Sequence, residues 1–307
     1  MRDKSAASGT ALIILAGIFC GSMVFFVRLL TAYGFSAIQT MSLGLPAAAL
    51  LFALVLLIKE PSGFRLRARD LPLFLGLGLG SVLFFTVCYF TAIELMPLSS
   101  AAILLYTSPI WVMLLSLLFF HERLTVTKLA ALALAFGGCV LVSGLSGGVS
   151  AKGLLIGLCS GVGYALYSVL GTVALRRYSP LAVSSWTFII AAAGSWFISK
   201  PAAMLHILAS APAPASLALL VLLTALVTAF IPYISYTVGL QRIEASRAAI
   251  LATVEPMVAT IFGVAVFGEP LTPQSALGIL LILCAVVVLN LKKRGGVEAK
   301  TNAGKAE

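Results

Sequence analysis

Charge is what this chain has least of. Only 10% of its 307 residues are Asp, Glu, Lys or Arg, and ten of these are acids. With 61% hydrophobic residues and a mean hydropathy of +1.12, it lacks the polar surface that a water-soluble globule needs. No long hydrophilic segment is present, which excludes an attached nucleotide-hydrolysing domain and with it a primary pump. The two histidines, His121 and His206, fall in or near loops, and no two carboxylates share a helix face within an apolar run. Acid–base or metal catalysis therefore has no constellation to work with. The five cysteines (Cys20, Cys88, Cys139, Cys159, Cys284) all sit inside apolar runs without metal-ligand spacing, as apolar fillers. A polar, filter-like reentrant segment of the kind an ion channel uses is also missing.

What is present is hydrocarbon, in runs near the ~20 residues that cross a bilayer as a helix. Ten are expected: 11–30, 37–58, 71–93, 101–120, 129–142, 154–175, 181–198, 217–240, 248–267 and 276–291. The fifth and tenth are short and can extend back to Thr125 and Thr272. None alternates over ~10 residues as barrel strands do. The first run has no small-residue cleavage site and exceeds the ~7–15 residues of a signal-peptide core, so it is expected to stay in the membrane. Of the twenty Lys and Arg, all but Arg28, Lys152 and Lys200 fall on one side if the N-terminus is cytoplasmic. By the positive-inside rule both termini are then cytoplasmic, in an inner or plasma membrane. The net charge of +10 follows from topology and attraction to anionic lipid, with no nucleic acid implied.

The chain repeats itself. A shift of 147 residues lays "SAAILLYTSPIWVMLLSLLFFHERLT" on "RAAILATVEPMVATIFGVAVFGEPLT" and matches Ala101 with Ala248, Pro109 with Pro256, Glu122 with Glu269 and Thr125 with Thr272. Tyr89 falls on Tyr236 in the same register. Each half holds five runs, an odd number, so the second half enters from the opposite side. Charge obeys the compartment: Arg123 and Lys128 correspond to Pro270 and Ser275, while Leu95 and Ser100 correspond to Arg242 and Arg247. The expected division is a first repeat at 1–147, a second at 148–292 and a basic, disordered cytoplasmic tail at 293–307. Inverted repeats with a site near the midplane are how many secondary transporters are built.

These two segments, the ten-span plan and the linking "GYALYSVLGTVALRRYSPL" resemble the EamA family of the drug/metabolite transporter superfamily over about 11–291. The resemblance implies an all-α membrane protein of ten helices, two inverted five-helix repeats around a central cavity, exporting metabolites such as amino acids and amines. Cys20-Gly21 stands where the family often has Trp-Gly, and Gly44 where the second helix often carries Arg. Lipid or polyprenyl-carrier translocation, and transport of organic anions, remain alternatives.

Glu255 is the leading site candidate. It lies eight residues into the run from Ala248, about 12 Å at a 1.5 Å rise, near the middle of a ~30 Å core. An acid there costs about 2.5–3.5 kcal/mol on insertion scales and is expected to face the bundle interior, as an amine ligand or proton site, or as a structural carboxyl. Pro109 and Pro256 are expected to kink their helices, freeing backbone groups for a cavity or simply shaping the packing. Tyr164 and Tyr167 share a helix face. With Tyr89, Tyr236, Tyr106 and Ser108, they complete the substrate-binding set, their rings offering cation–π contact and hydroxyl handles.

Glu122 and Glu269, before the helix-capping Thr125 and Thr272, are read as hairpin structure. Arg28 is expected to reach the headgroups or to pair with Glu94 or an anionic substrate. The glycine runs lack a strand, a loop and a lysine, so no phosphate loop is expected. Partners are a small metabolite, membrane lipids and protons, as a monomer or homodimer, without cofactor or metal. The turn-rich connection at 200–216 is read as a gate or a linker.

Overall fold

The computed structural model describes residues 2–144, 150–198, 209–210 and 213–291. The tail at 293–307 and most of the 200–216 connection lie outside the described residues. All regular elements among those described are helical. In the first repeat α1 runs Arg2–Gly21 and, after Ser22, Met23–Ala32; α2 is Ala37–Lys59; α3 comprises Leu71–Leu75, a π-helical turn Gly76–Leu83 and Phe84–Leu95. There α4 is divided into Leu98–Leu105 and Ser108–Phe120, and α5 is Val126–Ser143. The second repeat holds α6 (Ala151–Ala174), α7 (Pro180–Ser195) and α8 (Pro214–Ala225, a π-helical turn Leu226–Phe230, Ile231–Leu240). It closes with α9 (Ala245–Ala252 and Val254–Phe267) and α10 (Pro273–Leu291).

Eight of these helices are long and apolar enough to span a membrane, and shorter apolar stretches, Leu43–Lys59 and Pro180–Ser195, lie in α2 and α7. The polarity of the packing suits lipid as solvent. Leu57, Ile58, Leu118, Phe119 and Val126 are exposed, while Ser81, Ser116, Ser160, Ser184, Ser185 and Thr237 are fully buried. In lipid, polar groups must find partners inside the bundle. Ser81 donates to the Gly163 carbonyl at 2.9 Å, tying α3 to α6, and Ser185 donates to the Phe52 carbonyl at 3.2 Å, tying α7 to α2.

Local chemistry sets the helix starts. Ser36 and Gln39 form a capping box on α2, and the side chains of Thr125, Ser150 and Ser179 accept from Lys128, Gly153 and Ala182 amides at the starts of α5, α6 and α7. The ends repeat in register. Helix α4 stops at His121 (φ 54°) and α9 at Gly268 (φ 67°), both left-handed and 147 residues apart. Beyond them the Glu122 amide donates to the Ser116 carbonyl as the Glu269 amide does to Gly263, again the same shift. The two π-helical turns overlap under it as well, Leu79–Leu83 on Leu226–Phe230.

The prolines act differently from mid-helix kinks. Pro109 sits at the start of the second piece of α4 and Pro256 in the first turn of the second piece of α9, where a missing N–H costs no intrahelical bond. At the preceding ends the threonines fold back, amide and hydroxyl together: Thr107 donates both to the Leu104 carbonyl and Thr253 both to the Ile250 carbonyl, the hydroxyls at 2.6 Å. Repeat-equivalent helices also pair alike, α1 packing along α8 as α6 packs along α3. The end of α4 meets the start of α9, its own repeat partner, so the two run in opposite directions.

Candidate functional site

Where α9 breaks, α1 comes closest. A Cβ on Gly21 would lie 2.6 Å from the Glu255 carbonyl oxygen and 2.7 Å from Val258 Cβ, so only glycine lets the two backbones meet there. Beside this contact lies a narrow cavity. Helix α1 lines it with Ala16, Gly17 and Cys20, α6 with Tyr164, Tyr167 and Ser168, α8 with Pro232, Tyr233 and Tyr236, and α9 with Ala252 and Glu255. At about 30 Å3 the enclosed space is far smaller than an ordinary small-molecule site, so in this state the walls stand close together.

Glu255 is the only charged residue in that lining. It stands in the first turn of the second piece of α9, at the positive end of that half-helix, which favours a carboxylate there. Tyr164 donates its hydroxyl to Glu255 Oε2 at 3.2 Å. Glu255 is half-buried rather than sealed, so the carboxylate remains reachable from the cavity.

Tyr167 and Tyr236 are held by their hydroxyls and present their rings. Tyr167 donates to Thr237 Oγ1 at 2.7 Å, with Thr237 in turn donating to the Tyr233 carbonyl at 2.7 Å. Tyr236 shares a 2.6 Å hydrogen bond with Ser168. Tyr233 stands edge-on to Tyr167 and to Phe188, ring centroids 5.0 and 4.7 Å apart. The π-helical turn Leu226–Phe230 lies one residue before Ile231, and such wide turns re-aim the side chains that follow. One carboxylate among aromatic faces is the arrangement that attracts an ammonium group.

A solved crystal structure at 20% identity superposes with a TM-score of 0.77, over 94% of this chain and 98% of its own, and so shares the fold. The model of the EamA-like transporter family matches residues 7–144 and again 151–291. The chain belongs to the EamA-like transporter family. It is a multi-pass membrane transporter of small molecules rather than an enzyme, and the family match falls twice, once on each repeat. Similar curated proteins carry transporter names. A transporter of unassigned substrate from Archaeoglobus fulgidus is 26% identical over 84% of this chain and 90% of its own length. A probable terminal-alkyne amino-acid exporter from Streptantibioticus cattleyicolor is 25% identical over 87% of each chain. The pseudopaline exporter CntI of Pseudomonas aeruginosa is 30% identical over 50% of this chain and 56% of its own.

In this EamA-like transporter, four of the residues singled out from the sequence meet in one cavity: Glu255, Tyr164, Tyr167 and Tyr236. Three others do not line it. Tyr89 packs with Ala92, Met96 and Ala101, Tyr106 packs with Cys139, Val254 and Met257, and Ser108 is buried at the start of its half-helix. Cavity residues not anticipated include Tyr233, Ser168, Gly17 and Cys20. Tyr233 had a readable signal, since it stands three residues before Tyr236 as Tyr164 stands before Tyr167. Gly17 and Cys20 had another: they are the positions that the 147-residue shift lays under Tyr164 and Tyr167.

Arg28 pairs with Glu269 and lies 4.1 Å from the centroid of the Phe267 ring, not with Glu94. The expected hairpin role of Glu122 proves too narrow. Its carboxylate reaches across to Ala245 and Ser246 of the other repeat.

Proposed function

We propose that this transporter exports small amine-bearing metabolites from the cytoplasm by alternating access, binding the ammonium group at Glu255. The observation that carries the reading is the pairing of one carboxylate with a wall of tyrosine rings, with no cationic residue in the lining. An anionic solute in the same cavity meets a negative charge and no positive one. The amine's apolar body lies against Tyr167, Tyr233 and Tyr236, whose hydroxyls, apart from that of Tyr233, are already bonded within the protein. The names of two relatives, an amino-acid exporter and a pseudopaline exporter, support export as the direction.

Glu255 also supplies a coupling device. A single carboxylate holds either an ammonium group or a proton, never both, and that exclusivity exchanges one for the other across the membrane. The inward proton gradient of a bacterial-type inner membrane then drives amines out. Both termini and the basic connections, carrying Arg65, Arg67, Arg69, Arg123, Arg176 and Arg177, face the cytoplasm in this reading.

The test is thermal stabilisation of the purified protein in detergent by a panel of amines, amino acids, organic acids and lipids, since a ligand of the folded state raises stability by mass action. Stabilisation by amines that disappears in Glu255→Gln is the expected result. Stabilisation by lipids alone, or by anions regardless of residue 255, would overturn the assignment in favour of a lipid or anion carrier.

A further inference from the structure

The two repeats carry the same residues at their hairpins but use them differently. On the face bearing the α4–α5 and α8–α9 connections, Glu122 clasps the start of α9. Its Oε1 accepts the Ala245 amide at 3.2 Å, and its Oε2 accepts from the Ser246 hydroxyl and, at 3.1 Å, from Lys128 Nζ. Lys128 also pairs with Glu244 at 2.7 Å, and the Glu122 and Lys128 side chains are each only 11% exposed. Beneath this clasp, the first piece of α9 packs against the second piece of α4.

Moved by one repeat, Glu122 becomes Glu269, Ala245 becomes Leu98 and Ser246 becomes Ser99, so the glutamate and the serine are both kept. The backbone around the glutamate is kept too, from the left-handed residue before it to the amide bond onto Gly263. Yet Glu269 is paired with Arg28 of α1, and the pieces Leu98–Leu105 and Val254–Phe267 make no comparable packing among the described residues. Among the described residues the clasp is thus made at the Glu122 face and not made by Glu269 at the other.

We infer that Glu122 and Glu269 are the two gate residues of the transport cycle and that they alternate. In the opposite state Glu269 leaves Arg28 and takes the Leu98 amide and the Ser99 hydroxyl, Ser99 giving up the interaction it makes here, while Glu122 releases Ala245 and Ser246. The inference rests on the alternating-access reading above. The pseudo-symmetry supplies the geometry, since the alternative state is the present one with the repeats' roles exchanged. The two gates are not equal, because Lys128 and Glu244 correspond to Ser275 and Pro97. A clasp with a largely buried ion pair on one face faces one without a cation on the other, and Arg28 competes for Glu269. Both differences favour the state seen, closed to the cytoplasm.

Cys20 lines the cavity and reports which face is open. The experiment labels it with a membrane-impermeant maleimide in right-side-out and inside-out vesicles, subtracting the signal of Cys20→Ser. Using the ratio of the two rates cancels the intrinsic reactivity of the thiol. The unaltered transporter is expected to label from both faces and faster from outside. Ser246→Ala, which spares the Glu122–Lys128 pair, and Glu122→Gln are each expected to move the ratio toward the cytoplasmic face by at least about fivefold, a typical size for coupled equilibria. Ser99→Ala is expected to move it the other way. Labelling from both faces with ratios unchanged in Ser246→Ala and Ser99→Ala would overturn the gate assignment and leave alternating access standing. Labelling from one face alone in every variant would overturn both.

Discussion

Tyr164 and Glu255, 91 residues apart in the chain, are joined by a 3.2 Å hydrogen bond across the cavity wall. The phenol holds Oε2 and leaves Oε1 without a protein partner among the described residues, turned to whatever enters. Removing the phenol hydroxyl while keeping the ring separates positioning from charge. Tyr164→Phe is expected to weaken amine binding by less than Glu255→Gln does, and to keep its pH dependence, because the carboxylate remains. Equilibrium binding of a labelled amine by the two variants checks the order.

The approach of α1 to the broken helix gives a second expectation. Gly21→Val places carbon against the Glu255 carbonyl and Val258, and overpacking of this kind costs about 1–3 kcal/mol. At Gly44 an added Cβ meets nothing within 4 Å, so Gly44→Ala is expected to be neutral or to stabilise by a few tenths to about 1 kcal/mol. Thermal midpoints of the two variants in one detergent distinguish them. Equal midpoints would mean that the close contact at Gly21 is not what positions α1.

Much of this is legible in the sequence, for a physical reason. An acid or a proline inside hydrocarbon is costly, so each marks a position that the fold must accommodate, and Glu255 with its matched prolines stood out on that ground. Polar residues also fixed the 147-residue register, which the structure repeats down to single hydrogen bonds at Glu122 and Glu269. The role of the prolines was less legible. They open half-helices, because each falls in the first turn after a helix break, where an amide has no intrahelical partner to lose.

Symmetry does not extend to the cavity lining. Tyr236 lines the cavity while its repeat mate Tyr89, equally half-buried, lies outside that lining, and Glu255 lines it while Ser108 is buried. A repeat in sequence predicts equal surroundings only when both gates are in the same state, and here the Glu122 clasp is made and the Glu269 one is not. Small residues such as Gly17 and Cys20 carry no chemical signal of their own and became visible only opposite the tyrosines.

The Arg28–Glu269 pair is half exposed, each side chain at 47%, and exposed pairs of this kind contribute little. Arg28→Gln is therefore expected to change stability by less than about 1 kcal/mol. Its effect belongs to the cycle, because it frees Glu269, and inward labelling of Cys20 is expected to rise. A large loss of folded protein with no change in labelling would assign Arg28 to structure alone.

The pH dependence of amine binding tests the central claim most directly. If the ammonium group and a proton compete for Glu255, affinity rises as pH increases and the carboxylate loses its proton. Glu255→Gln is expected to flatten that dependence. It is also expected to weaken binding about tenfold or more, since a hydrogen bond to a charged group contributes about 1.5–3 kcal/mol. The measurement is equilibrium binding of a radiolabelled amine to the purified transporter and to Glu255→Gln, from acidic to alkaline pH. Rising affinity in the first and weak, flat binding in the second are the expected results. Equal affinity and equal pH dependence in both proteins would contradict the assignment of Glu255 as the amine and proton site.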